Sequence, residues 1–320
     1  MRDTVRYRIR HETTYVYGSD VVHSHQLLHL VPRPTAYQQC QEHVINVTPA
    51  FYRKRNEIDT FGNLVTRVEF DHPHRRLEVA TDMEVEVHPR PAVDAADTLP
   101  WERTAAELNY RSSDPARESL EASRFRHESP YVRIKRQFNE YAAECFTRGR
   151  PVLACAEELM RKLHTDFRYA PGETTISTPL MEVLKNRRGV CQDFSHLMIA
   201  CLRARGLAAR YVSGYIRQVP ASPTALVGWG ASHAWVAVYA PPFGWFELDP
   251  TNGMFVGTDH ISVAWGRDFG DVSPLRGIIL GGGSHRLSVG VKVEAIPSSD
   301  EAVVTVTSTD IDTKSSFSPL

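Results

Sequence analysis

The chain has 320 residues, of which 42% are hydrophobic and 23% charged, a composition typical of soluble globular proteins. This length exceeds that of most single domains, so we expect two of them. The formal net charge of −1 gives no electrostatic argument for nucleic acid or an anionic membrane as a partner.

The sequence has no run of about 18 apolar residues, and its N-terminus lacks the apolar core of a signal peptide. The five cysteines are an odd, scattered set without the spacing of a zinc finger. These features predict a cytoplasmic protein with reduced thiols. We expect it to need neither a metal nor a cofactor.

Residues 1–90 show the alternation of apolar and polar side chains that is typical of β-strands. Residues 65–70 and 77–87 are clear examples, and turn signals such as Phe61-Gly62-Asn63 lie between such runs. Several antiparallel strands at this spacing predict a β-sandwich domain. A docking role and a purely structural role both fit this domain.

Three histidines of this region, His23, His25 and His29, have a spacing that suggests a metal site. No cysteine or carboxylate completes a ligand set nearby, and the neighbouring residues are strand formers. We therefore interpret them as partly exposed histidines of a strand.

Residues 89–100 have the composition of a linker. Helix-start signals and apolar periodicity predict three helices after it: Ser129-Pro130 to about Phe146, Pro151 to about His164, and residues 180–184 after Thr178-Pro179. Residues 266–277 are interpreted as a surface loop, with a loop that shapes the substrate site as the alternative, and residues 285–296 alternate like one more strand. The predicted divisions are a β-domain (1–90), a linker with helices (91–150), a core (151–296) and a polar tail (297–320) whose end is expected to be disordered.

A cysteine stands at the start of the predicted helix that follows Gly189. From Val190 onward the apolar residues have the spacing of one helical face, and Gly206 ends the helix. Cys191 therefore falls in the first turn, where free N–H groups and the helix dipole favour a reactive thiolate. Cys191 is the predicted nucleophile.

Residues 232–239 and 244–249 predict an antiparallel hairpin, because each run is strand-like and a Pro-rich turn lies between them. His233 and Asp249 are 16 residues apart, an even number. With a three-residue loop they lie directly opposite on one face, and a two-residue shift of register makes them diagonal neighbours. A helix-start cysteine with a histidine and an aspartate side by side is the arrangement of nucleophile, base and orienting group.

These segments resemble the core of the transglutaminase-like superfamily. The resemblance covers residues 155–255 and is carried by residues 189–194, 203–215, 232–235 and 245–251. Residues 8–15 and 29–34 resemble the β-domain that precedes this core in many bacterial members. The resemblance implies an α+β protein in which an antiparallel β-sandwich precedes a papain-like core, with a nucleophile helix packed on an antiparallel sheet. It also implies a Cys-His-Asp enzyme that acts on amide bonds.

The predicted reaction is acyl transfer, in which the Cys191 thiolate attacks an amide carbonyl and His233 protonates the leaving amine. The backbone N–H of Cys191 is one expected donor to the oxyanion. Eukaryotic members use a tryptophan upstream of the nucleophile, but no tryptophan lies between Trp101 and Trp229. Tyr169 and, through its side chain, Gln192 are the candidates for the second donor.

Three functions remain open at this point. A cysteine protease or amidase that uses water is favoured, with a peptide or protein as its substrate. A transglutaminase or peptide ligase would pass the acyl group to an amine instead. A peptide-binding module without activity would keep only the fold, but the complete set of Cys191, His233 and Asp249 argues against it.

Overall fold

The computed structural model describes residues 4–109, 117–217 and 232–297. Trp229 lies outside these ranges, and so does the predicted polar tail beyond Pro297. None of the described helices is long and apolar enough to cross a membrane.

The secondary structure of the described ranges is α+β, as predicted. The strands are β1 (Val5–Leu28), β2 (Gln38–Thr48), β3 (Arg53–Ile58), β4 (Leu64–Phe70), β5 (His74–Val87), β6 (Arg168–Tyr169), β7 (Arg188–Gly189), β8 (Ala209–Ile216), β9 (His233–Tyr239), β10 (Trp245–Asp249), β11 (Met254–Phe255), β12 (His260–Gly266), β13 (Leu275–Gly281) and β14 (His285–Ile296). The helices are α1 (Trp101–Glu107), α2 (Arg117–Ser123), α3 (Arg136–Ala142), α4 (Val152–Asp166), α5 (Leu180–Asn186), α6 (Cys191–Ala204) and α7 (Phe269–Val272).

The first sheet is organised by the 24-residue strand β1. Its register shifts between Val16 and Val21, so the first part of β1 pairs with β5 and β14 and the second part pairs with β4 and β13. The sheet curls at this point. Side chains such as Phe70 and Leu77 fill the inside of the curl and form a small core of their own.

The second sheet has the order β11-β10-β9-β8-β12, and α6 packs against β8 and β9. Every residue of β9 is buried, which explains its continuous run of apolar and small side chains. The apolar core beneath α6 also includes Tyr7 and Ile9 of β1, so the two sheets share one core.

The last two strands belong to the first sheet. β14 pairs with β1 from Arg6↔Ile296 to Tyr17↔His285, and β13 pairs with β1 farther along. The alternation in residues 285–296 correctly indicated a strand. These residues were grouped with the core, however, whereas their partner strand, β1, belongs to the first sheet. Periodicity shows which face of a strand is buried, and it carries no information on which distant strand supplies the hydrogen bonds.

Two local predictions were wrong. Ser129 does not begin a helix, because its backbone forms a turn with Val132 and its hydroxyl accepts a hydrogen bond from the buried Arg203 at 3.2 Å. The helix begins only at Arg136. Residues 266–277 are not simply a surface loop, since they contain α7, which Asp268 caps by accepting the Gly270 N–H at 2.8 Å. The helices after Pro151 and Pro179 are confirmed, as α4 and α5.

Candidate active site

Cys191 is the first residue of α6 and so lies in the first turn, as predicted, and its side chain is half-buried. The chain enters the helix through β7, and Asp193 then folds back over this entry. Its Oδ2 accepts the Val190 N–H at 2.8 Å and the Thr174 hydroxyl at 2.7 Å. A Cβ on Gly189 would lie 2.7 Å from the same Oδ2, so glycine is required here by the close approach of Asp193. The cap fixes the direction in which α6 starts and therefore the position of Cys191.

His233 and Asp249 face each other across β9 and β10. The distance between His233 Nε2 and Asp249 Oδ2 is 2.8 Å, and both side chains are completely buried. The observed register pairs Leu248 with Val236, so His233 and Asp249 are diagonal neighbours and not directly opposite. The expected contact is confirmed, and of the two registers considered the one shifted by two residues is correct.

Asp249 is surrounded by donors from three elements. Its Oδ1 accepts the backbone N–H groups of Thr251 at 2.9 Å and Asn252 at 3.2 Å. Its Oδ2 accepts the Asn252 side-chain amide at 2.7 Å and His260 Nε2 at 3.2 Å, in addition to His233. Burial alone raises the pKa of Asp249, but the charge and hydrogen bonds of His233 and His260 lower it well below its usual range. The carboxylate is therefore ionised at neutral pH.

Sequence reasoning missed Asn252 and His260. Asn252 follows the Asp249-Pro250 turn, and an Asx residue two or three positions after a strand end is a recognisable signal. His260 has no comparable signal, because β12 is separated from β10 by two strands in the sheet.

The second ring nitrogen of His233, Nδ1, has no hydrogen-bond partner of good geometry among the described residues. Burial lowers the pKa of His233, but the Asp249 carboxylate and the neighbouring Cys191 sulfur more than offset this and raise it well above its ordinary value. Cys191 is therefore a neighbour of the His233 ring.

Of the two candidate oxyanion donors, Tyr169 lies at this site. β6 runs beside β7, with Tyr169 paired with Gly189. Burial raises the pKa of Tyr169 to about 12, and the charges of Cys191 and Asp249 add to the effect. Gln192 is half-buried on α6, and in the described ranges no hydrogen bond joins its side chain to His233 or Asp249.

The other histidines have structural surroundings. His196 Nε2 accepts the Phe269 N–H at 3.1 Å, and burial lowers the pKa of His196 to about 3. His23 and His25 are exposed neighbours on β1, as interpreted, whereas the side chain of His29 is buried and points to Ser273. Within the described ranges no three histidine, cysteine or carboxylate side chains are grouped as metal ligands would be.

Comparison with known proteins places this arrangement in a family. The profile of the "Bacterial transglutaminase-like N-terminal region" matches residues 7–86, and that of the "Transglutaminase-like superfamily" matches residues 139–250. An uncharacterized protein of Mycobacterium tuberculosis is 38% identical over 308 residues, which are 94% of this chain and 95% of the relative.

More distant similarities agree with this. A protein-glutamine gamma-glutamyltransferase of Pseudomonas aeruginosa is 34% identical over 110 residues, which cover 32% of this chain and 16% of that protein. The crystal structure of a candidate cysteine protease from Cytophaga hutchinsonii has a TM-score of 0.71 and 18% identity, with 93% of this chain and 92% of that chain covered. The fold is therefore shared along almost the whole chain. The chain belongs to the transglutaminase-like superfamily, in its bacterial type with an N-terminal β-domain.

Proposed function

We propose that this protein is a cysteine-dependent enzyme that cleaves amide bonds in peptides or proteins, with Cys191 as nucleophile, His233 as general acid and base, and Asp249 as the orienting carboxylate. The observation that carries the proposal is the buried contact of 2.8 Å between His233 Nε2 and Asp249 Oδ2. This contact directs the other ring nitrogen, Nδ1, away from Asp249, and Cys191 is the second neighbour, after Asp249, that raises the pKa of the ring.

The reaction follows from these contacts. The thiolate of Cys191 adds to the amide carbonyl carbon, and the resulting tetrahedral oxyanion collapses as His233 gives its Nδ1 proton to the leaving amine. The product is a thioester on Cys191. Asp249 keeps the proton on Nε2, and its charge stabilises the imidazolium form of His233. A second acceptor, activated by the now neutral His233, then releases the acyl group.

The oxyanion of this step needs fixed donors. The N–H of Cys191 is free of an intrahelical acceptor, because Cys191 is the first residue of α6. Tyr169 is the better candidate for the second donor, because β6 pairs it with Gly189, two residues before Cys191, and the charge of Cys191 affects its pKa. A Tyr169→Phe variant is expected to lose about 10²-fold in turnover if the hydroxyl acts in this way.

Water is the acceptor that we favour, which makes the protein a protease or amidase. The similarity to the gamma-glutamyltransferase supports the second candidate, transfer of the acyl group to an amine. The two reactions use the same residues until the thioester has formed. They differ only in whether water or an amine then attacks it. A peptide-binding module without activity is the third possibility, and the buried and ionised Asp249 argues against it, because burying a charge without use is costly.

The test is to trap the acyl-enzyme. The protein is incubated with a peptide library, quenched in acid and mapped by mass spectrometry, with Cys191→Ala and the buried Cys201→Ala as a matched pair. We expect an acyl group on Cys191 in the wild type and in Cys201→Ala only. A peptide attached elsewhere, or none under conditions of turnover, would contradict the proposal.

The acceptor is tested separately with a glutamine-containing peptide and a labelled primary amine. We expect ammonia release to exceed incorporation of the label. Dominant incorporation of the amine would instead identify transamidation.

A further inference from the structure

Asp249 Oδ2 accepts hydrogen bonds from two histidines, one on each side. His233 Nε2 is 2.8 Å away and His260 Nε2 is 3.2 Å away, and all three side chains are completely buried. A ring nitrogen at this distance from an ionised carboxylate carries its proton toward the oxygen, so both histidines donate through Nε2.

The surroundings of His260 indicate that this contact is its main polar role. Its other nitrogen, Nδ1, is buried and has no hydrogen-bond partner in the described ranges. The ring packs edge-on against Trp235, with 5.3 Å between the centroids. An unpaired polar atom in a buried position is unfavourable. An apolar side chain would fill this space without one. The hydrogen bond to Asp249 is what distinguishes histidine from such a residue.

The position of His260 also fits an effect on the site. It begins β12, where it pairs with Ile216 of β8, so its side chain lies on the same face of the sheet as those of Ser262 and His233. From there it contacts the Asp249 carboxylate directly. Besides Asp249 and His233, the titratable side chains around this network are Cys191, Tyr169 and Glu247, and Glu247 accepts the Trp235 indole N–H at 2.7 Å and pairs with Arg90.

We propose that His260 is a positioning residue, a fourth member of the Cys191–His233–Asp249 arrangement, whose Nε2–H holds the Asp249 carboxylate together with the Thr251 and Asn252 donors and favours its ionised form. This inference rests on the proposed function. Without the Nε2–H donor, Asp249 gains affinity for a proton, while the Thr251 and Asn252 donors still fix its orientation. It then stabilises the His233 imidazolium less well, and the Cys191 thiolate loses part of its counter-ion in turn.

The experiment needs no substrate. The rate at which limiting iodoacetamide alkylates Cys191 is measured by peptide mapping between pH 4.5 and 9 in the wild type, His260→Gln, His260→Asn and Asp249→Asn. The amide nitrogen of glutamine occupies nearly the place of Nε2. The asparagine side chain is shorter, so its amide nitrogen does not reach Asp249. Ser262→Ala on the same strand is the control, because the Ser262 hydroxyl contacts Glu247 and not Asp249.

We expect the acid limb of the profile to move to higher pH by about one unit in His260→Asn, so that alkylation at pH 5.5 is about tenfold slower. His260→Gln and Ser262→Ala should follow the wild type. Equal profiles for the glutamine and asparagine variants would overturn the proposal, because a purely structural role does not distinguish a donor that reaches Asp249 from one that does not.

The Asp249→Asn variant separates the two levels of inference. If its profile shifts and that of His260→Asn does not, the role of His260 is wrong and the proposed triad is retained. If Asp249→Asn has the wild-type profile, the triad itself is wrong, and the role of His260 falls with it.

Discussion

Cys191 differs from the other four cysteines in its surroundings. Cys145, Cys155 and Cys201 are completely buried in the core. Burial raises the pKa of Cys145 to about 11 and that of Cys155 to about 12, and it raises the pKa of Cys201 as well. Cys40 is half-buried in β2, and burial also raises its pKa. Cys191 alone combines partial exposure with a helix N-terminus and the neighbouring His233.

Limiting iodoacetamide at mildly acidic pH should therefore label Cys191 first, because the thiolate reacts and the thiol barely does. His233→Ala should remove this selectivity, since it removes the imidazolium that stabilises the thiolate. Peptide mapping of the folded, alkylated protein provides the measurement. Equal labelling of Cys191 and Cys201, or selectivity that survives in His233→Ala, would show that the free enzyme has no thiolate–imidazolium pair.

His233 also predicts how stability depends on pH. Its pKa is raised in the folded protein from 6.5 to about 10, so its charged form contributes stability that is complete below pH 6.5 and is lost as the pH rises toward 10. The free energy of unfolding should fall more steeply between pH 6.5 and 9.5 in the wild type than in His233→Gln. The expected difference is about 3–4 kcal/mol over this interval.

Urea unfolding at several pH values checks this expectation, with His72→Gln, at an exposed histidine, as the control. Parallel curves for the wild type and His233→Gln would mean that the ring is neutral in the folded protein at neutral pH.

At the scale of elements, β8 depends on a glycine. Gly214 lies in the middle of the second sheet, paired with His233 on one side and Ser262 on the other. A Cβ at this position would collide with the Ile261 carbonyl oxygen and with the Trp235 ring. The backbone oxygen has no room to move without breaking the β8–β12 ladder. The absence of a side chain lets the Trp235 ring cross the strand, next to His233 and His260.

Gly214→Ala is consequently expected to cost about 1–3 kcal/mol of stability, as overpacking with a backbone shift does. It should also slow alkylation of Cys191, because His233 moves with β9. Gly290→Ala on β14 is the control, since a Cβ there meets nothing within 4 Å. Thermal unfolding of both variants gives the measurement, and equal midpoints for the two would refute the argument.

At the scale of the whole molecule, the N-terminal β-domain covers the open edge of the catalytic sheet. β12 is the last strand of that sheet, and its outer backbone groups bind side-chain amides of the first domain. Gln38 accepts the Ser262 N–H at 2.8 Å and donates to the Ser262 carbonyl at 2.7 Å. Asn63 does the same for Trp265, at 3.0 Å and 2.9 Å. Each amide replaces one residue of a missing strand, so the edge is closed to other chains.

Replacing Asn63 should leave the Trp265 N–H and C=O without their side-chain partner. Replacing Gln38 should leave the Ser262 N–H unpaired, whereas the Ser262 C=O keeps the Arg33 N–H at 3.2 Å. Gln38→Leu and Asn63→Leu are each expected to destabilise the protein by about 1–3 kcal/mol and to increase aggregation on heating. Gln39→Leu is the matched control on the exposed side of β2. Unfolding midpoints and light scattering are the measurements, and a Gln38→Leu variant as stable as Gln39→Leu would contradict the role of the amide.

The sequence by itself determined the local features of this protein. The period of the apolar residues located α4 and α6, because a helix needs one apolar face and each residue contributes to it locally. The helix-start signals placed Cys191 in the first turn of α6. The even spacing of His233 and Asp249 put both on one face of the hairpin in either register, because side chains alternate along a strand.

The tertiary structure decided what depends on distant partners. It selected the register that makes His233 and Asp249 diagonal neighbours, added β13 and β14 to the first sheet, and brought His260 to Asp249. In the folded protein the Ser129 hydroxyl accepts a hydrogen bond from Arg203 and does not cap a helix. In each case the choice is between arrangements with similar local propensity. Burial and hydrogen bonding between residues far apart in the chain decide which arrangement forms. A short window of sequence does not contain these long-range interactions.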